Sequence, residues 1–440
     1  MHYRPRRVET VQSHHLRDSG TVLTIIKRAV WLFADRALRL AGGLLVGVAV
    51  ARHLGPPSFG LLNYAAAFAG ILGSLATLGL DGVIVKELVA GNKQPGSILG
   101  TSLALRVCGA LLAVLITFVA AAASHVDPSV TALIFVTSLS YLAQALIVGE
   151  FKLQAEGESR ASASIQIAAF LMSAAFRIGL ILFEAPLWCF AATGIVETTA
   201  AVTLLFCVAG KDQAWAFEWR VAKDLLSQSW PLILSGFVYS LYLRVDQIML
   251  GWMLEDRVVG YYAAAVRVAE TWSFVPIVVV TVAMPVIHRW PVEEQMGRFQ
   301  RLLDILAAVG IMSSLTTSLL SEGIVLLLFG AEFLQAAPVL VILVWGSVLT
   351  SVGYASGRWL IFQRKTESIL ARNVLGLVFN IALNAMLIRS FGATGVALAT
   401  VGSLLVANVL SYAVTRDTNG LLRANLKALS LHFLWSRSTK

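Results

Sequence analysis

The chain has 440 residues, 58% of them hydrophobic and only 13% charged, with a formal net charge of +9. Soluble domains are about half apolar and about a quarter charged, so this composition excludes an ordinary water-soluble fold. The positive charge lies in loops between apolar runs and forms no single basic face, which excludes a nucleic-acid-binding surface as its purpose.

Each transmembrane helix needs about 20 apolar residues to cross about 30 Å of hydrocarbon. In chain order the apolar runs predict such spans at 24–51, 59–80, 98–123, 129–150, 162–183 and 187–209. Six more follow at 229–253, 259–287, 301–321, 336–362, 368–388 and 393–415. The runs are continuous and too long for barrel strands. The expected fold is therefore an all-α integral membrane protein with about twelve transmembrane helices. A basic arm (1–23) precedes the first six-helix bundle (24–210), an amphipathic linker (211–228) leads to the second (229–415), and a basic tail (416–440) closes the chain. The apolar run after Glu322, Ile324 to Phe329, is too short to cross and is expected to cap the ninth span. Ala49-Val50-Ala51 imitates a signal-peptidase site, but the long basic region before it and the interruptions at Asp35, Arg36 and Arg39 favour a retained first span.

Lys and Arg collect in short cytoplasmic loops. Alternate loops hold Lys86 and Lys93; Lys152 and Arg160; Lys211, Arg220 and Lys223; Arg289 and Arg298; and Arg364, Lys365 and Arg372. The loops between them hold only Arg52, Arg257 and Arg389. The first set is thus expected on the cytoplasmic side, together with both termini. In the linker, Trp215, Phe217, Trp219, Val221 and Leu225 alternate with charged residues, as suits an interfacial segment or a plain linker with interfacial aromatics. The halves also echo each other at an offset of about 200 residues. LGPPSFGLLNYA at 54–65 and LEDRVVGYYAAA at 254–265 share a Leu, a polar turn, an apolar residue, a Gly and a helix start rich in Tyr or Ala, the form in which transporter repeats surface.

Ionisable groups at membrane depth cost several kcal/mol and are paired, snorkelling or functional. Predicted at such depth are Asp35, Arg36 and Arg39 (span one), Arg106 (three), Arg177 (five), Glu197 (six), Arg244 and Asp246 (seven), and Arg267 and Glu270 (eight). Arg358, near a cytoplasmic helix end, is expected to snorkel. Asp35 with Arg39 and Arg267 with Glu270 have spacings that allow mutual neutralisation. Arg177 and Arg244 have no opposite charge at helical spacing and are the better candidates for a water-filled cavity. Guanidinium groups there suit an anionic, phosphate-bearing ligand. Cys108, Cys189 and Cys207 fall within apolar runs and give neither a disulfide framework nor metal-ligand spacing. A Walker lysine loop, a Rossmann fingerprint, an HExxH pair and an Asp-x-Asp motif are all missing from the sequence, so neither a cofactor, a metal nor catalytic machinery is expected.

Residues 31–67, WLFADRALRLAGGLLVGVAVARHLGPPSFGLLNYAAA, strongly resemble the first hairpin of Wzx-type oligosaccharide flippases, the polysaccharide-transport branch of the multidrug/oligosaccharidyl-lipid/polysaccharide exporter superfamily. The stretch from Ser229 through Leu243-Arg-Val-Asp-Gln-Ile-Met-Leu-Gly251 to Ala264 is similar to that family's seventh span and following turn. The resemblance implies two six-helix bundles around a cationic central cavity and movement of an undecaprenyl-diphosphate-linked oligosaccharide, as in O-antigen or exopolysaccharide biosynthesis. It further implies the bacterial cytoplasmic (inner) membrane and a polysaccharide polymerase and glycosyltransferases as partners. On this view Arg39, Arg177 and Arg244 are the expected diphosphate contacts, with Arg36, Arg106 and Arg267 as weaker candidates. Glu197, Asp246, Asp35 and Glu270 are candidates for binding H⁺ or Na⁺, with structural pairing as the alternative. Rival functions are a peptidoglycan-precursor flippase, a drug/cation antiporter and a membrane enzyme acting on polyprenyl-linked sugars.

Overall fold

The computed structural model describes residues 19–124, 126–208, 215–365, 367–414 and 418–430, with side chains for all of these except 19–37, 159 and 208. Every regular element among them is helical. Nine helical stretches among the described residues are long and apolar enough to cross a membrane: Leu38–Ile71, Pro95–Ala123, Pro128–Ala145, Arg160–Leu182, Leu187–Cys207, Asp256–Ile287, Val292–Leu319, Ala336–Phe362 and Glu367–Ala413.

Two of the nine contain a break at glycine. Gly55 (φ 69°) interrupts Ser19–Ile71, and Gly392 (φ 58°) interrupts Glu367–Asn408; both sit in the left-handed region that glycine enters without a Cβ clash. At Gly55 the chain turns back on itself. The Arg267 guanidinium fills the place a Gly47 side chain would take and lies 5.6 Å from the Phe59 ring, although a straight helix would hold residues 47 and 59 about 18 Å apart. The chain turns back at Gly392 too, since Asn380 Nδ2 donates to Ser403 Oγ at 3.2 Å. The first and second predicted spans therefore form one hairpin, and the eleventh and twelfth another. The predicted seventh span belongs to the helix Trp219–Met253, 35 residues long. It is not among the nine because Ser, Gln and Tyr, together with Arg244 and Asp246, dilute its apolar run. It begins ten residues before the predicted span and takes in much of the predicted linker, of which 211–214 lie outside the described residues.

The two sides of the molecule are packed differently. Every loop assigned to the exterior by the charge rule feeds one buried cluster, through Ala51 and Phe59, Val130, Ala191, Val259, Phe333 and Ile388 among others. The short run after Glu322 forms the helix Ser321–Phe329. Phe329 and Phe333 carry it into that outer core, where the Phe333 ring stands edge-on to Phe59 in the first half (6.0 Å) and to Tyr261 in the second (6.3 Å). Arg52 donates to the Leu327 carbonyl across the same junction.

The opposite ends, which the charge rule assigns to the cytoplasm, divide into separate cores instead. One gathers Leu80, Ile84, Leu99, Phe151 and Leu225; another gathers Phe299, Leu303, Trp359, Leu360 and Tyr412. The amphipathic helix Asn419–Leu429 closes the second core, anchored by buried Asn425, which accepts from Ser356 Oγ (3.0 Å) and donates to the Asn408 carbonyl (3.1 Å). Between the halves on this side lies a polar cluster in which Lys93 pairs with Asp224 and with Glu87 (2.9 Å), and Gln228 donates to Glu87 (3.0 Å). The Gln228 and Lys93 hydrogen bonds hold the Glu87 carboxyl below its ordinary range.

Candidate functional site

Beneath the outer core lies a cavity of about 230 Å³, lined from both halves. The first hairpin contributes Gly47, Phe59 and Asn63, the following helices contribute Thr137, Ser140, Arg177 and Thr193, and the Asp256–Thr271 helix contributes Arg267. Arg177 Nη2 meets Glu197 Oε2 at 3.4 Å, with 25% and 36% of the two side chains exposed. Arg267 lies over the face of Phe59 and makes no ion pair within 4 Å among the described residues. The two guanidinium groups are within Coulombic range of each other, and Arg267 of Glu270. Glu270 in turn lies within range of Arg244 and Asp246.

The cavity's wall chemistry is one-sided. Thr137, Ser140 and Thr193 all donate their hydroxyl protons to helix carbonyls (2.7–2.8 Å), and Asn63 Nδ2 donates to the Phe59 carbonyl (2.7 Å). Donors aimed into the space are thus mainly the guanidinium groups, a setting that favours an anion. The volume is below the about 300–1,000 Å³ usual for drug-sized ligands. It suits a phosphate-sized group.

Of the expected contacts, Arg177 and Arg267 come together in this cavity. Arg244 packs against Gly70 on the first hairpin, next to the group and not in its lining. Arg39 is half-buried and engaged, and does not line the cavity. The side chains of Asp35 and Arg36 lie outside the described residues. Arg106 stands elsewhere: 2% exposed, it pairs with Asp81, donates to the Gln144 carbonyl (3.2 Å) and covers the Phe151 ring (5.2 Å). Arg358 is exposed beside Tyr354, as expected for a snorkelling residue.

Asp246 does not reach the cavity lining but heads a polar seam inside the second half. Its carboxylate accepts from the Tyr262 hydroxyl and from Gln247 N (2.7 Å), and Tyr262 also contacts Thr400 Oγ1 (3.1 Å). Through Ser403, one turn further, the seam continues to Asn380 (3.2 Å) and Asn384 (2.8 Å). Asn384 Oδ1 is buried without a hydrogen-bond partner among the described residues. Sequence reasoning missed these amides and hydroxyls, whose one visible sign is the four-residue spacing of Asn380 and Asn384 within an apolar run.

Comparison with known proteins agrees with this architecture. A family model described as polysaccharide biosynthesis protein matches residues 31–290, more than half of the chain. The chain belongs to this family of multi-pass membrane proteins. It is 26% identical over 391 residues to a probable low-salt glycan biosynthesis flippase, Agl15, of Haloferax volcanii, covering 82% of this chain and 77% of that one. A probable flippase of the same organism, AglR, is 27% identical over 178 residues, or 39% of this chain and 37% of its own. Among solved structures, the lipid II flippase MurJ in an inward closed conformation superposes with a TM-score of 0.73 at 16% identity, covering 92% of both chains. An inward-facing multidrug resistance MATE transporter of the MOP superfamily gives 0.69 at 15% identity, covering 92% of this chain and 99% of that one. Both Haloferax relatives are described as probable flippases, and the likeness to the two solved structures is one of fold.

Arg106, buried on Asp81, has a structural part by this geometry. Arg106→Ala is expected to cost about 1–3 kcal/mol through the lost charge-assisted hydrogen bonds to Asp81 and the Gln144 carbonyl, seen as lower thermal stability and membrane abundance, while transport per folded molecule stays near normal.

Proposed function

We propose that this chain flips a polyprenyl-diphosphate-linked oligosaccharide, with undecaprenyl as the carrier, from the cytoplasmic to the outer leaflet by alternating access between two six-helix bundles. The observation that carries the reading is the cavity shared by Arg177 and Arg267, one from each half. A diphosphate there would bridge guanidinium groups that otherwise repel each other. Arg244 and Arg39 stand next in line as the carrier advances. Twelve crossings follow if each glycine break is an external turn and Trp219–Met253 spans the bilayer. With both termini cytoplasmic, the cytoplasmic side is then the one on which the cores of the halves are separate.

The glycan branch of the superfamily is favoured by the family match and by Agl15. The likeness to MurJ and to the MATE transporter is one of fold. The relatives come from an archaeon, so the bacterial cytoplasmic membrane, and a polymerase and glycosyltransferases beside it, belong to this proposal. Arg177→Ala and Arg267→Ala are expected to lower flipping of a fluorescent polyprenyl-diphosphate sugar in liposomes by about tenfold or more, the factor given by about 1.4 kcal/mol of lost binding, with Arg→Lys keeping part of it. Full activity in both Ala variants would remove the site. A chemically altered product would mean an enzyme, and preference for a drug cation or a peptidoglycan precursor would mean one of the sister functions.

Coupling to H⁺ or Na⁺ falls to Asp246. Support comes from its burial, its place at the head of the seam and the unpartnered Asn384 oxygen nearby in that seam, an oxygen-rich lining suited to a cation. Glu197, held by Arg177, and Glu270 are second candidates. Asp246→Asn is expected to abolish the response of flipping to an imposed pH or Na⁺ gradient. An unchanged response would make Asp246 a structural residue.

A further inference from the structure

The two segments that echo each other in sequence meet face to face. Where the second arm of the first hairpin crosses the Asp256–Thr271 helix, Gly60 and Gly260 oppose each other, and the room of each missing side chain is taken by the other helix's backbone. A Cβ on Gly60 would fall on the Asp256 carbonyl oxygen and lie 2.8 Å from Gly260 N. A Cβ on Gly260 would fall on the Pro56 carbonyl oxygen and lie 2.9 Å from its carbon. The exchange is reciprocal: residue 60 meets 256 as 260 meets 56, with the same 200-residue offset as the echo. Such a self-complementary contact is what a two-fold axis between the halves produces.

Ala51, Ala65, Ala263, Ala264 and Ala265 on the same two elements are buried in the shared core. Helices that touch through glycine approach closely, and at the Gly60–Gly260 contact itself backbone meets backbone with no side chain between. Arg267 stands seven residues beyond Gly260, about 10 Å deeper along its helix, so the cavity lies directly beneath.

We propose that the Gly60–Gly260 crossing is the outer gate of the transport path, a seam of bare backbone that seals the exit and parts when the halves rock. This rests on the reading of the chain as an alternating-access transporter.

The test is a distance measurement between spin labels at Pro57→Cys and Arg257→Cys, both exposed beside the crossing, in liposomes, with Cys108, Cys189 and Cys207 replaced by Ala. The parent should give one short distance population. Gly60→Leu and Gly260→Leu should each add a longer one, and the Ala variants should do so in part, because even a single Cβ collides. Gly323→Ala, on the same side where a Cβ meets nothing within 4 Å, should change nothing. If the Leu variants do not fold, the Ala variants decide. An unchanged distribution in folded Ala variants, a longer population from Gly323→Ala as well, or failure of both glycines to accept Ala would overturn the gate. The readout needs no substrate, so its failure leaves the flippase reading standing, and failure of the sugar-flipping assay leaves the gate result intact.

Discussion

Helix backbones come into direct contact only where neither carries a side chain, and in this molecule that condition is met between the halves at Gly60 and Gly260. The crossing brings the external loops near enough to share one core, and Phe333 fills the notch beside it against Phe59 and Tyr261. Depth then follows from helical geometry. Arg267, two turns inside the crossing, must pass over Phe59 and into the room left by Gly47, and there it meets the cavity that Arg177 enters from the first half.

Electrostatics favours water or an anion in this space. Two guanidinium groups in a low-dielectric setting repel each other, and Glu197 offsets only Arg177, through a contact of 3.4 Å. Arg267 has the quadrupole of an aromatic face as its nearest compensation, which is worth about 0.5–2 kcal/mol. That is less than the cost of a desolvated charge. Glu270, within Coulombic range of Arg267, offsets part of the remainder, and water or a bound anion such as a diphosphate would supply the rest. The hydroxyls of Thr137, Ser140 and Thr193 cannot compete for it, because their protons are already given to backbone carbonyls.

Much of this was legible in the sequence, for definite reasons. Continuous apolar runs specify membrane helices, and Ala336–Phe362 falls where its run predicts. The Gly55-Pro56-Pro57 turn and the echo at 254–265 mark the crossing region, although nothing in one sequence says that the two echoes touch. Pairings across helices were hidden. Arg177 lacks an opposite charge at helical spacing, yet finds Glu197 on the next long helix. Arg267 and Glu270 have the spacing of a self-neutralising pair, but Arg267 reaches toward Gly47 and forms no ion pair with Glu270 within 4 Å. Arg106 was a weaker candidate than Arg177 in the sequence, and only the fold delivers Asp81 to it. The seam from Asp246 to Asn384 was invisible because single amides and hydroxyls barely disturb an apolar run.

The proposed transport path requires the polar compartment beneath the outer core to be reached from the cytoplasmic side. It is tested most directly by placing a thiol in the lining, Asn63→Cys in a background freed of Cys108, Cys189 and Cys207, and treating oriented vesicles with a membrane-impermeant thiol reagent. Labelling from the cytoplasmic face together with protection from the outer face is the predicted result. Labelling from the outer face alone, or from neither, would contradict it.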